Sequence, residues 1–217
     1  MPNWCENKVE LTITDKEYMA TVVAELEKED SDILNFLWPQ PENLFLGSVG
    51  TEDEQRLAAE GRESWYSWNV REWGTKWNVN VDTWDQEDDT LTLWFDSAWG
   101  PPEAAFSNWF YTDLPEGTGY KLAYKEEGCD FYGLTIDAED IYQGSWSEID
   151  GIPEDFLEFL GYDREDLIDQ AKWWVIEDLL CAEPQEWGFP DHIDQEEFRE
   201  MLEEKDLDEL KQLQEAM

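Results

Sequence analysis

Apolar and polar residues alternate from Lys8 to Thr14, with Val9, Leu11 and Ile13 on one side, which is the period of a half-buried strand. The period then changes. Tyr18, Met19, Val22, Val23 and Leu26 recur at helical spacing and predict a helix over residues 16–29, capped by Asp15. Residues 31–63 carry no period and are broken by Pro39 and Pro41, so they are expected to be irregular and pinned by Ile33, Leu34, Phe36, Leu37 and Trp38. A short helix over 63–71 carries Trp65, Tyr66 and Trp68. A strand over 76–83, a hairpin turn at Asp85–Asp89 and a partner strand through Leu91, Leu93 and Phe95 follow. Pro101 and Pro102 suit a helix start, and that helix is expected to run to about Tyr111. Residues 120–125 and 130–136 read as a second hairpin with Gly128 near its turn, and 140–147 as a short last strand.

Strand, helix, strand, strand, helix, strand, with extra strands after them, predicts an α+β fold. It is expected to be a ferredoxin-like antiparallel sheet with helices on one face, occupying residues 1–147. From 148 to 217 the pattern is helical throughout. Pro153 opens a short helix that ends near Gly161, and Asp163 caps a longer one. Residues 184–190 break the chain. Asp194 with Glu197, and Asp206 with Glu209, have the spacing of capping boxes. This acidic helical extension is expected to pack on the sheet through Trp174, Val175, Ile176 and Leu179.

Charge changes the picture most. The chain has 55 Asp and Glu against 14 Lys and Arg, a net of -41 over 217 residues. Solubility needs far less, and the excess destabilises a compact state by self-repulsion. Disorder is excluded by 14 Trp, 10 Phe and 8 Tyr, enough ring surface for a large core. Lys outnumbers Arg, which argues against salt adaptation. Such a surface repels nucleic acid and anionic membranes and attracts basic proteins. Duplex DNA carries a charge every ~1.7 Å, so this net charge matches about twenty base pairs.

The acidity is densest in residues 151–217, with 22 acidic against 5 basic residues. Few Lys stand at i+4 to offset neighbouring acids there, so like-charge repulsion recurs along the helices. The candidate partner-binding carboxylates are therefore Asp163, Glu165, Asp166, Asp169, Glu177, Asp178, Glu196, Glu197, Glu200, Glu203, Glu204, Asp208 and Glu209.

Other chemistry finds little support. One histidine, His192, and three widely spaced cysteines offer no zinc pattern, and Asp85–Asp89 lacks the calcium-loop spacing. No nucleophile elbow, phosphate loop or cofactor motif occurs, so neither catalysis nor a cofactor is expected. Cys5 reads as a buried residue. The cluster Trp65, Trp68, Trp73, Trp77, Trp94, Trp99 and Trp109 reads as core, since no basic groove accompanies it. An odd cysteine count points to a reducing compartment. With no leader-like start and no apolar run long enough to cross a bilayer, a host cytoplasm is the expected location.

Three stretches are familiar together: Pro2-Asn3-Trp4-Cys5-Glu6-Asn7, Trp73-Gly74-Thr75-Lys76-Trp77, and Phe95-Asp96-Ser97-Ala98-Trp99-Gly100-Pro101-Pro102. In this order they resemble the YubB-like family with a ferredoxin-like domain, found on phages, prophages and plasmids. The resemblance covers residues 1–147 and implies the fold and a mobile-element origin, with the three motifs clustered in space. It implies no activity. The expected function is that of an acidic DNA mimic. It would bind the basic groove of a host DNA- or RNA-binding defence protein of restriction, recombination or CRISPR type, without touching nucleic acid or membrane itself. The alternatives are an acidic scaffold protein and a carboxylate-based enzyme.

Overall fold

A computed structural model describes residues 3–180 and 195–215. The chain divides into two compact units, Met1–Glu148 and Ile149–Met217.

The N-terminal unit is α+β. Its open six-stranded antiparallel sheet comprises β1 (Trp4–Ile13), β2 (Val81–Glu87), β3 (Thr90–Ala98), β4 (Thr118–Glu126), β5 (Phe131–Ile136) and β6 (Glu139–Gly144), in the order β2-β3-β1-β4-β5-β6. Its helices are α1 (Lys16–Leu26), α2 (Ile33–Leu37), α3 (Thr51–Ala59), α4 (Trp65–Glu72) and α5 (Glu103–Phe110).

One face of the sheet carries the core. Cys5, Val9, Leu11 and Ile13 of β1, Leu91, Leu93 and Phe95 of β3, and Tyr120, Leu122 and Tyr124 of β4 pack with Met19, Val22 and Leu26 of α1 and with Ala105, Phe106 and Trp109 of α5. Period-2 side-chain alternation puts these strand residues on one side, and period-3.6 spacing gives each helix its apolar stripe. Asp15 caps α1 by accepting the Tyr18 N–H at 2.8 Å, as its position predicts.

Several boundaries differ from the sequence reading, each for a local reason. β1 begins at Trp4, four residues early, because polar Asn7 occupies an inward position and interrupts the apolar alternation. Residues 31–63 are not wholly irregular, since they hold α2 and α3. Helix α3 is polar apart from buried Leu57, so no apolar stripe announces it; Asp53 accepts the Gly50 N–H at 3.1 Å, and Arg56 pairs with Asp53 and Glu60. β2 starts at Val81 instead of 76. Asp85, Gln86 and Glu87 lie in that strand, so the turn is only Asp88-Asp89, with Asp88 at φ +52°. Asp tolerates that left-handed conformation better than most residues.

The C-terminal unit is helical. After a 3-10 turn at Ile149–Gly151 come α6 (Glu154–Leu160), α7 (Arg164–Leu180), α8 (Gln195–Glu203) and α9 (Leu207–Glu215). One cluster joins Ile176, Leu179 and Leu180 of α7 to Phe198 and Leu202 of α8 and Leu210 of α9, with Val175 and Leu213 against it, and Ile152, Phe156, Leu157, Phe159 and Leu167 are buried as well. Trp174, expected on this apolar face, is instead 62% exposed. At helical spacing Ile176, Leu179 and Leu180 form one stripe, and Trp174 falls on the opposite face. Asp206 and Glu209 exchange hydrogen bonds at the start of α9, a capping box as its spacing predicts. The expected chain break at 184–190 and the Asp194 cap lie outside the described residues, as do Cys181, His192 and the Glu197 side chain.

Candidate functional site

The three familiar stretches meet in the N-terminal unit. Asn7, buried between β1 and its neighbours, donates through Nδ2 to the Cys5 carbonyl at 2.7 Å, the Phe95 carbonyl at 3.2 Å and Ser97 Oγ at 2.8 Å. Ser97 passes its own proton to the Gly100 carbonyl at 2.8 Å. The Trp99 N–H donates to the Asn3 carbonyl at 2.9 Å, and Thr75 Oγ1 donates to the Ala98 carbonyl at 3.0 Å. Gly74 sits at φ +85°, and a Cβ there would lie 2.7 Å from the Pro101 carbonyl, so only glycine fits. These bonds satisfy buried backbone groups of the loop before β2 and of the turn between β3 and α5.

Above this network lies a row of rings. Trp4 and Trp77 have centroids 6.3 Å apart, Tyr66 stands edge-on to Trp99 at 6.0 Å, and Trp65 stands edge-on to Tyr66 at 5.9 Å. Lys76 Nζ lies between two of them, 4.4 Å from the Trp77 centroid and 4.6 Å from that of Trp99. Trp4, Trp77 and Trp99 are 52%, 38% and 44% exposed. The tryptophan cluster is therefore only in part core. Trp68, Trp73 and Trp109 are buried and Trp65 and Trp94 half-buried, but Trp77 and Trp99 face outward. Trp99 also holds φ +75°, a strained conformation for a bulky residue.

Cys5 is fully buried, and burial pushes its thiol well above the ordinary range, which disfavours the thiolate that a nucleophile needs. Glu103, in the first turn of α5, borders a cleft of about 570 Å³ lined also by Pro101, Tyr124, Phe131, Tyr132 and Gln143. Thr135 Oγ1 donates to Glu103 Oε1 at 2.5 Å, and Tyr124 hydrogen-bonds the same carboxyl. Burial raises the Glu103 carboxyl above the usual range, the two hydrogen bonds oppose that shift, and Asp140 adds to it. No sequence motif marked this group, because one Glu among 55 acids has no specific spacing.

The thirteen candidate carboxylates all belong to the C-terminal unit. Asp163 accepts the N–H groups of Glu165 and Asp166 at 2.8 and 3.3 Å, so it is the cap of α7, and Glu165 and Asp166 fill the first turn. Asp169 and Asp178 are exposed further along α7, where Asp178 accepts from Gln214 at 2.7 Å. Glu177 is half-buried and paired with Arg199 at 2.7 Å. Glu196, Glu200, Glu203 and Glu204 are exposed on or just after α8, and Asp208 and Glu209 in the first turn of α9. Among those with described side chains, Glu177 alone forms an ion pair.

Among the described residues, no group of three or more His, Cys, Asp and Glu is arranged to hold a metal, and no helix is long and apolar enough to cross a membrane. No family model matches the chain, no curated protein matches it, and no solved structure matches it.

Proposed function

We propose that this is a mobile-element protein that acts by binding, presenting phosphate-like carboxylates to the basic groove of a host DNA- or RNA-binding defence protein. The observation that carries the reading is the state of α7, α8 and α9. Among the described residues, the exposed acids of α8 form no ion pair, although Glu–Lys pairs at i,i+4 are the ordinary way to stabilise such helices. Self-repulsion left uncompensated is relieved when a basic partner docks. We also read the N-terminal unit as a ferredoxin-like domain of the YubB-like kind. Support comes from its strand–helix–strand–strand–helix–strand order and from the β2-β3-β1-β4 run of its sheet, with α2 to α4 inserted and β5 and β6 added. On this reading the protein resides in the host cytoplasm and needs no cofactor.

The test is capture from host lysate, repeated with duplex and single-stranded nucleic acid. The captured protein should be a nucleic-acid-binding protein that added DNA or RNA displaces. Capture that nucleic acid does not compete, and that survives reversal of Glu196, Glu200, Glu203 and Glu204 to Lys and, separately, of Asp163, Glu165, Asp166 and Asp169 to Lys, would leave the charge a solubility device.

A further inference from the structure

We infer that the exposed ring surface of Trp4, Trp77 and Trp99 is a second contact site, which takes an arginine-bearing segment of a partner protein by cation–π stacking. The partner's basic character rests on the reading above, but the site is in the other unit and works by different chemistry.

Three observations converge. The rings are large and outward-facing, and the loops that carry Trp77 and Trp99 are tied down by the bonds from Thr75 to the Ala98 carbonyl and from the Trp99 N–H to the Asn3 carbonyl. Two of them already grip a cation, because Lys76 Nζ sits between Trp77 and Trp99. Lys16, Lys28 and Lys125 have carboxylate partners, whereas Lys76 forms no ion pair among the described residues, so the rings alone hold it. The third observation is charge complementarity. On β1, Glu6 lies on the same face as Trp4, and its register partner on β3 is Asp96. The Asp96 carboxyl is raised by burial, then by the charges of Glu6 and Asp82, with Lys125 opposing. A rim of crowded carboxylates beside open indole faces suits a guanidinium, which stacks flat on a ring while its N–H groups reach the acids. An anionic ligand would meet repulsion from that rim and from the whole molecule.

The arrangement makes Lys76 a competitor for the site. An arginine entering between Trp77 and Trp99 displaces the Lys76 ammonium, so removing Lys76 frees the rings and deletes a positive charge. Binding by arginine is then strengthened by Lys76→Ala and weakened by loss of a ring. A site built for an anion behaves in the opposite way.

The experiment uses the full chain, labelled with nitrogen-15, and a blocked hexapeptide of three arginines alternating with glycines. It is run in 0.5 M NaCl, where pairing with exposed acids elsewhere is screened within about 4–5 Å. The indole N–H signals of Trp4, Trp77 and Trp99 should shift saturably. Trp4→Ala and Trp99→Gly should each weaken binding about tenfold, Trp4→Phe much less, and Lys76→Ala should tighten it about threefold. Trp99→Gly relaxes the strained backbone, so its melting temperature reports whether lost binding is mere unfolding. Shifts confined to other indoles, parent-like affinity in both ring variants, or loss of binding in Lys76→Ala would each overturn the inference. The charge-reversed helices should bind this peptide normally. If they do but lose the lysate partner while the ring variants keep it, this site fails and the mimicry reading stands. If nucleic acid never competes but the peptide result holds, the mimicry reading fails alone.

Discussion

The two units handle charge in opposite ways. In the N-terminal unit most of the cations are set against acids. Lys125, nearly buried, lies 3.3 Å from Glu6 across the β1–β4 register and 2.7 Å from Glu127, and Glu10 faces Lys121 four pairs further along. Arg56 and Arg71 each bridge two carboxylates around α3 and α4, and Arg62 pairs with Glu60. Among the described residues of the C-terminal unit, Arg164 pairs with Glu154 and Arg199 with Glu177, while the acids of α8 are exposed and form no ion pair. Their cores differ in the same sense. The N-terminal core is rich in rings, including fully buried Phe106 and nearly buried Trp109, while the α7–α9 core is a short aliphatic seam with one phenylalanine. A unit with a large aromatic core withstands its own charge. The α7–α9 seam has less ring surface to set against the repulsion of its exposed acids.

The largest expected effect breaks the stronger unit. Trp109→Ala removes a ring packed on Phe106 and Tyr120 and a 2.8 Å hydrogen bond to the Tyr18 hydroxyl. It should cost about 3–5 kcal/mol, read by denaturant unfolding, against about 2–3 kcal/mol for Leu202→Ala in the α8 seam. A larger loss at Leu202 would reverse the comparison. Next, Asn7→Ala removes the donor to Ser97 Oγ and to the Cys5 and Phe95 carbonyls and should cost about 1–3 kcal/mol. It should also disturb the indole signals of Trp99 and Trp4, since the network beneath them is gone. Stability lost with those signals unmoved would show that the ring row is held by other contacts.

Salt sharpens the comparison without any substitution. Raising NaCl from 20 mM to 0.5 M should slow hydrogen exchange at Leu179 and Leu202 more than at Leu93 and Leu122. Screening relieves repulsion among unpaired acids but weakens paired ones. Equal slowing in both units would mean that the helical acids are not under net repulsion.

The sequence made the sheet legible because Val9, Leu11, Ile13, Leu91, Leu93 and Phe95 keep strict alternation, and α1 because its cap and stripe agree. It hid α3, whose single buried residue gives no stripe, and the start of β1, where inward Asn7 mimics a surface position. The three motifs were expected to cluster in space, and the bonds among Asn7, Ser97, Thr75 and Trp99 bring them together. The outward turn of Trp77 and Trp99 was not, since exposure of a tryptophan depends on loops whose path is set by distant bonds, such as Thr75 to the Ala98 carbonyl. The candidate acids were legible one by one. Their lack of partners was not, because pairing is decided by where the few cations land.

The smallest expected effect concerns Glu103, where the N-terminal unit fails to pair a charge. Burial raises its carboxyl despite hydrogen bonds from Thr135 and Tyr124, and Asp140 stands nearby. A carboxyl whose folded-state pKa exceeds its unfolded value takes up a proton on folding. Its contribution is fully present below the unfolded value and is lost as pH rises through the folded one. Over the pH range just above the usual glutamate value, the parent should therefore lose stability relative to a Glu103→Gln variant. The amide keeps an oxygen to accept from Thr135 but has no charge to bury. The difference is read as the gap between the two denaturation midpoints across pH 4 to 7. The gap should grow in favour of the variant as pH rises and then level off. A constant gap would mean that Glu103 ionises in the folded protein as freely as in water and that its cleft is well hydrated. A gap growing in favour of the parent would show that the carboxylate is stabilised where it sits, by the N-terminal end of α5 and its two hydroxyl donors.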